Sequence, residues 1–99
     1  MFGGMMGKLQ EMKQKSEEVK ARLETISVQA DAEDGKIKVR ATAGRKIQEI
    51  KISQELIDAN DKEQIEELTL LAINRVLEKA EKVAEAEMAG VAKGFLPGM

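Results

Sequence analysis

Phe2, Met5, Leu9, Met12, Ser16, Val19, Leu23 and Ile26 succeed one another at spacings of three and four. That is the a/d seam of a heptad pattern, and only Ser16 interrupts its apolar character. Most residues between the seam positions are Lys, Glu, Gln, Arg or Ser. A helix of this kind has one narrow apolar face and must bury it against another element, in this chain or in a second copy. Lys8 to about Glu24 contains no Gly or Pro, so the helix is predicted there, with Glu11–Lys15 and Glu18–Arg22 in the favourable i,i+4 order.

From Ile26 the period changes to two. Ile26, Val28, Ala30 and Ala32 alternate with Ser27, Gln29 and Asp31, which predicts a half-buried strand. Asp34-Gly35 is a type I′ hairpin signal. Beyond it Ile37, Val39, Ala41 and Ala43 alternate with Lys36, Lys38, Arg40 and Thr42, a second strand. Gly44-Arg45-Lys46 forms the next turn, with Gly44 the residue suited to positive φ. Ile47, Ile50 and Ile52 mark a third strand, where Ile47 is out of phase. Either a bulge intervenes or Ile47 faces the other side.

Ser53–Ile57 reads as a short turn of helix or loop. Asp61 is a natural N-cap, with Gln64 as its capping-box partner. The last helix is predicted from Lys62 to about Met88, with an apolar stripe wide enough to cover a sheet and touch another helix. Gly90 loosens it, and Gly94-Phe95-Leu96-Pro97-Gly98-Met99 cannot extend it. The order is α-β-β-β-α, an α+β fold with a three-stranded antiparallel meander that has one apolar and one charged face. Residues 1–99 form a single domain, with 1–7 and 89–99 expected to be flexible.

Composition adds a need for company. Of 99 residues, 34% are charged and 2% aromatic, so the core is thin and oligomerisation is expected to bury what one copy cannot. The chain has no Cys and no His, which removes disulfides, thiolate nucleophiles, imidazole bases and the usual zinc sites. No enzyme activity, cofactor, metal or small-molecule substrate is expected. The N-terminal stretch lacks the pattern of a signal peptide, no apolar run approaches the roughly 20 residues of a membrane span, and no lipidation motif is present. A soluble, intracellular protein without membrane association is the expectation.

Net charge is −2, yet its distribution is uneven. Lys36, Lys38, Arg40, Arg45, Lys46 and Lys51 face only one carboxylate, Glu49, over residues 36–51. Alternation puts Lys36, Lys38 and Arg40 on one face of a strand, about 6–7 Å apart, approaching the spacing of successive phosphates. The plain alternative is the solvated side of an amphipathic strand, where Lys also discourages edge aggregation. No aromatic residue interrupts the row, so any nucleic acid bound there is gripped by its phosphates rather than stacked. Glu63, Glu66, Glu67, Glu78, Glu81, Glu85 and Glu87 read as the solvated side of the last helix rather than as a paired acid site. Asn74 fits either a buried, register-fixing amide or an exposed position. Met5, Met6 and Met12 read as adaptable packing.

Taken in order, these features resemble the YbaB/EbfC family of bacterial nucleoid-associated proteins over essentially the full length. The resemblance is carried by Met6-Gly7-Lys8-Leu9-Gln10-Glu11-Met12, Gly35-Lys36-Ile37-Lys38-Val39 with Gly44, and Ile50-Lys51-Ile52 leading to Glu55-Leu56-Ile57. Glu66-Glu67-Leu68, Ala72-Ile73-Asn74 and Gly94-Phe95-Leu96-Pro97-Gly98 complete it. Ser53-Gln54 depart from the Asp-Pro common in the family, and Val76 stands where a small residue is common. The resemblance implies a homodimer, a β/α/β sandwich with helices between two sheets and helix ends projecting like tweezers. It also implies cytoplasmic, nucleoid-located binding of double-stranded DNA, with altered DNA conformation and an influence on gene expression.

The sites expected on this basis are Lys36, Lys38, Arg40, Arg45, Lys46 and Lys51 for phosphate contact, with Lys8, Lys13, Lys15 and Lys93 as a second set. The dimer interface is expected at Met5, Leu9, Met12, Val19, Leu23, Ile73 and Leu77. The competing expectation is a helical assembly or adaptor protein that binds another protein instead of DNA.

Overall fold

The structure is a computed structural model that describes the backbone of residues 2–95 and the side chains of residues 6–91. It contains α1 (Phe2–Leu23), β1 (Ser27–Ala32), β2 (Ile37–Thr42), β3 (Ile47–Ile52), α2 (Gln54–Asp58) and α3 (Lys62–Phe95). The α-β-β-β-α order is as the hydrophobic periods predict. Both long helices exceed their predicted spans: α1 begins at Phe2, and α3 passes through Gly90 to Phe95 instead of ending near Met88.

The strands form an antiparallel sheet in the order β1-β2-β3. In the β1–β2 hairpin, Asp34 and Gly35 take φ of 53° and 85°, as a type I′ turn requires, closed by Lys36 N–H donating to Glu33 O at 3.1 Å. The β2–β3 turn departs from expectation. Arg45, not Gly44, has the left-handed φ of 69°. Gly44 is needed for another reason: a Cβ there would strike the Glu24 carboxylate, whose Oε2 accepts from Thr42 Oγ1 at 3.2 Å.

A bulge resolves the phase of Ile47. The register pairs Arg40 with Glu49 but Ala41 with Ile47, so Gln48 is the extra residue. Because Val39 and Ile37 pair with Ile50 and Ile52, all three isoleucines of β3 share the apolar face of the sheet.

Helix α3 packs over β1 and β2 on that face. Ala72 and Val76 meet Ala30, Ala32, Ile37, Val39 and Ala41, with Leu56 of α2 alongside, and Ala80 is buried one turn further on. Small residues on the helix and one side of the sheet allow close approach, so this core is dense but narrow. Helix starts follow their caps: Ser53 Oγ accepts from Leu56 N–H at 3.3 Å and Asp61 Oδ1 from Gln64 N–H at 3.1 Å.

The outline is long. Its extents are 68 × 22 × 18 Å and its radius of gyration 19.2 Å, against about 13 Å for a compact chain of this length. The excess comes from α3, about 50 Å long at 1.5 Å per residue, and from α1, which packs beside its C-terminal half. Arg22 pairs there with Glu87 at 3.4 Å, not with Glu18 as its i,i+4 spacing predicts.

Candidate nucleic-acid interface

The sheet face turned away from α3 carries the strand cations. Lys38 and Lys51 stand directly opposite each other in the β2–β3 register, and Arg40 stands opposite Glu49. Lys51 Nζ lies 3.7 Å and Arg40 Nε 3.9 Å from Glu49 Oε1, and Arg40 Nη1 donates to Gln48 Oε1 at 2.8 Å. Lys36 reaches Glu55 at 3.5 Å. These pairs are partly exposed and each contributes about 1 kcal/mol or less, so a phosphate oxygen can replace a carboxylate at small cost. Lys38 has no ion pair among the described residues. Like charges directly opposite on adjacent strands are destabilising, and an anion seated between Lys38 and Lys51 relieves that repulsion.

Two members of the predicted row stand apart from it. Arg45 turns toward the helix side and lies 3.7 Å from Glu81 of α3. Lys46 sits in the turn, where its N–H donates to Thr42 Oγ1 at 3.2 Å. The coherent group is therefore Lys36, Lys38, Arg40 and Lys51.

The second set lies on α1. Lys8, Lys13 and Lys15 are exposed, with Lys15 Nζ 4.0 Å from Glu11. Lys8 and Lys15 are two turns apart on one flank of the apolar seam, and at 100° per residue Lys13 falls on the opposite flank. They are not one patch. The side chain of Lys93 lies outside the described residues.

Of the seven predicted interface residues, Leu23 is buried within the protomer, packed where α1 meets the sheet and α3. Val19, Ile73 and Leu77 are half-buried, Leu9 and Met12 are exposed, and the Met5 side chain lies outside the described residues. The larger bare apolar surface is elsewhere. Ile47, Ile50 and Ile52 retain 38%, 43% and 38% of their surface because α3 lies over β1 and β2. Leu70, Leu71 and Ile57 are exposed as well. Its signal in the sequence was an excess of apolar positions over what one helix can cover. Asn74 is exposed, among Arg45, Leu77, Glu78 and Glu81.

Among the described residues, no group of three or more metal-ligating side chains converges, and no helix is long and apolar enough to cross a membrane. What remains is a small α+β protein with a cation-bearing sheet face and an uncovered apolar strand. A family model described as the YbaB/EbfC DNA-binding family matches residues 1–95, and the chain belongs to that family.

A nucleoid-associated protein of Flavobacterium johnsoniae is 42% identical over 96 residues, covering 97% of this chain and 89% of the relative. One from Ruminiclostridium cellulolyticum is 36% identical over 104 residues, covering 99% and 90%. The crystal structure of an uncharacterized Helicobacter pylori protein superposes with a TM-score of 0.78 at 17% identity, covering 87% of this chain and 90% of that one, and establishes likeness of fold.

Proposed function

We propose that the protein is a cytoplasmic, nucleoid-associated homodimer that binds duplex DNA mainly through its phosphates, alters its conformation and thereby influences gene expression. Family membership and the names of the relatives support DNA as the partner and the nucleoid as the place. The observation that carries the mechanism is the Lys38–Lys51 juxtaposition on the outer sheet face, flanked by Lys36 and Arg40. A homodimer is supported by the apolar surface of β3 and the adjoining flank of α3, which in a β/α/β sandwich receives the partner's helix. Two copies then present two symmetry-related cationic faces.

A gel-shift titration of two charge-swap triples tests the assignment. Lys36/Lys38/Arg40→Glu is expected to weaken binding about 100-fold or more at physiological salt, through loss of phosphate contacts and added repulsion. Lys8/Lys13/Lys15→Glu, split between two flanks of α1, is expected to do less. Normal binding by the strand triple with loss in the α1 triple contradicts the strand assignment. No retardation of DNA by the unmodified chain, with stable capture of another protein, favours instead the adaptor role suggested by exposed Met6, Leu9 and Met12.

A further inference from the structure

Three cations of α3 outside both sets stand together, apart from Lys62 in its first turn. Arg75, Lys79 and Lys82 fall at i, i+4 and i+7, on one side of the helix over about 10 Å. That side overhangs β1, an edge strand of the sheet. Ile26 O accepts from Ala43 N–H toward β2, so by alternation the carbonyls of Gln29 and Asp31 point out from the open edge. Arg75 Nη1 donates to Asp31 O at 2.9 Å, and Lys79 Nζ donates to Gln29 O at 2.7 Å.

Both acceptors are neutral, so these bonds position the cations without cancelling their charge. None of the three makes an ion pair among the described residues, whereas Lys36, Arg40 and Lys51 all do. They border an open hollow of about 230 Å³ that also contains Asp31 and Glu78. Asp31 alternates onto the outer sheet face, opposite Lys38, which leaves Glu78 beside three cations. Capping the β1 edge against unwanted strand pairing accounts for Arg75 and Lys79. It does not account for Lys82, which bonds no described residue.

We propose that this side of α3 is a second phosphate-contacting surface for duplex DNA, adjoining the outer sheet face at β1. The proposal rests on the DNA-binding reading above and extends it to residues on a different element. A duplex laid across β1 meets Lys38 on the face and Arg75, Lys79 and Lys82 at the edge. The anchoring bonds hold two of these side chains in place before DNA arrives, which lowers the ordering cost of contact.

The test uses the full chain with Arg75/Lys79/Lys82→Gln and, separately, Lys82→Gln, which removes no bond among the described residues. Binding to a duplex of arbitrary sequence is measured over a salt series, with oligomeric state followed by light scattering. The triple is expected to bind at least about 10-fold more weakly at low salt, and each lost contact makes the log–log salt slope shallower by about 0.9. Lys82→Gln alone is expected to make the slope measurably shallower at unchanged oligomeric state. Unmodified protein that binds DNA, with both variants matching it in affinity and slope, overturns the proposal. So does weakening confined to the triple and accompanied by a change in assembly, which leaves edge capping as the whole role. Unmodified protein that fails to bind DNA overturns the DNA-binding reading and this surface together.

Discussion

Ile50→Asp is expected to leave the protomer folded but convert the proposed dimer to a species of one 10.9 kDa chain, with loss of DNA retardation at physiological salt. Ile50 is 43% exposed in the protomer, on the apolar face of β3 beside Ile47 and Ile52. A carboxylate there reaches water in the monomer, so the fold loses little. In the proposed dimer the same carboxylate is buried without a partner, at a cost of several kcal/mol, or a dimer about 1000-fold or more weaker. Loss of the second cationic face then halves the phosphate contacts available to one duplex. Light scattering on the eluting protein reads the mass, and circular dichroism checks the fold. A variant that stays dimeric at micromolar concentration moves the interface away from β3, to the exposed α1 seam at Leu9 and Met12.

Ile37→Ala is expected to cost about 2–5 kcal/mol and to lower the melting temperature by at least about 10 °C. Ile37 has no exposed surface and lies at the centre of the β1–β2–α3 core. Its neighbours are mostly Ala and Val, whose short side chains cannot reach across to refill the space. The core also has no aromatic ring to absorb the loss. Against a total stability of about 5–15 kcal/mol, one such cavity is a large fraction. A thermal melt read by circular dichroism at fixed protein concentration checks it. A shift of only a few degrees would show that the core is more plastic than its packing implies.

Local chemistry made much of the fold legible in advance. The change of period at Ile26, the Asp34-Gly35 turn and the Asp61–Gln64 cap each act within a few residues, and each stands where the sequence placed it. Ile47 pointed to a bulge or a reversal, and the register supplies the bulge. The helix ends were less legible. Gly90 costs only about 1 kcal/mol in a helix interior, too little to stop one that continues beside α1. In the second turn Arg45 rather than Gly44 takes the left-handed conformation, and the glycine is required by the close approach of Glu24, a contact from another element.

The candidate site was legible as a set of residues and not as a geometry. Alternation places Lys36, Lys38 and Arg40 on one face, but Glu49 and Glu55 pair with cations through cross-strand and loop contacts that a linear charge sum does not reveal. Likewise, no local signal says that α3 covers β1 and β2 and leaves Ile47, Ile50 and Ile52 bare. Arg75 and Lys79 carry no local signal for the same reason. On a helix they look like ordinary solvated cations, and their strand-edge partners lie 44 and 50 residues away in sequence.

If two copies grip one duplex by its phosphates, a DNA-binding isotherm repeated over a range of salt concentrations shows it. With about three phosphate contacts per subunit from the outer sheet face, the log of the association constant should fall against log salt with a slope near −5, and steeper if the α3 side contributes. Binding that is independent of salt, or no binding to duplex DNA even at low salt, means that phosphate contacts do not hold the duplex.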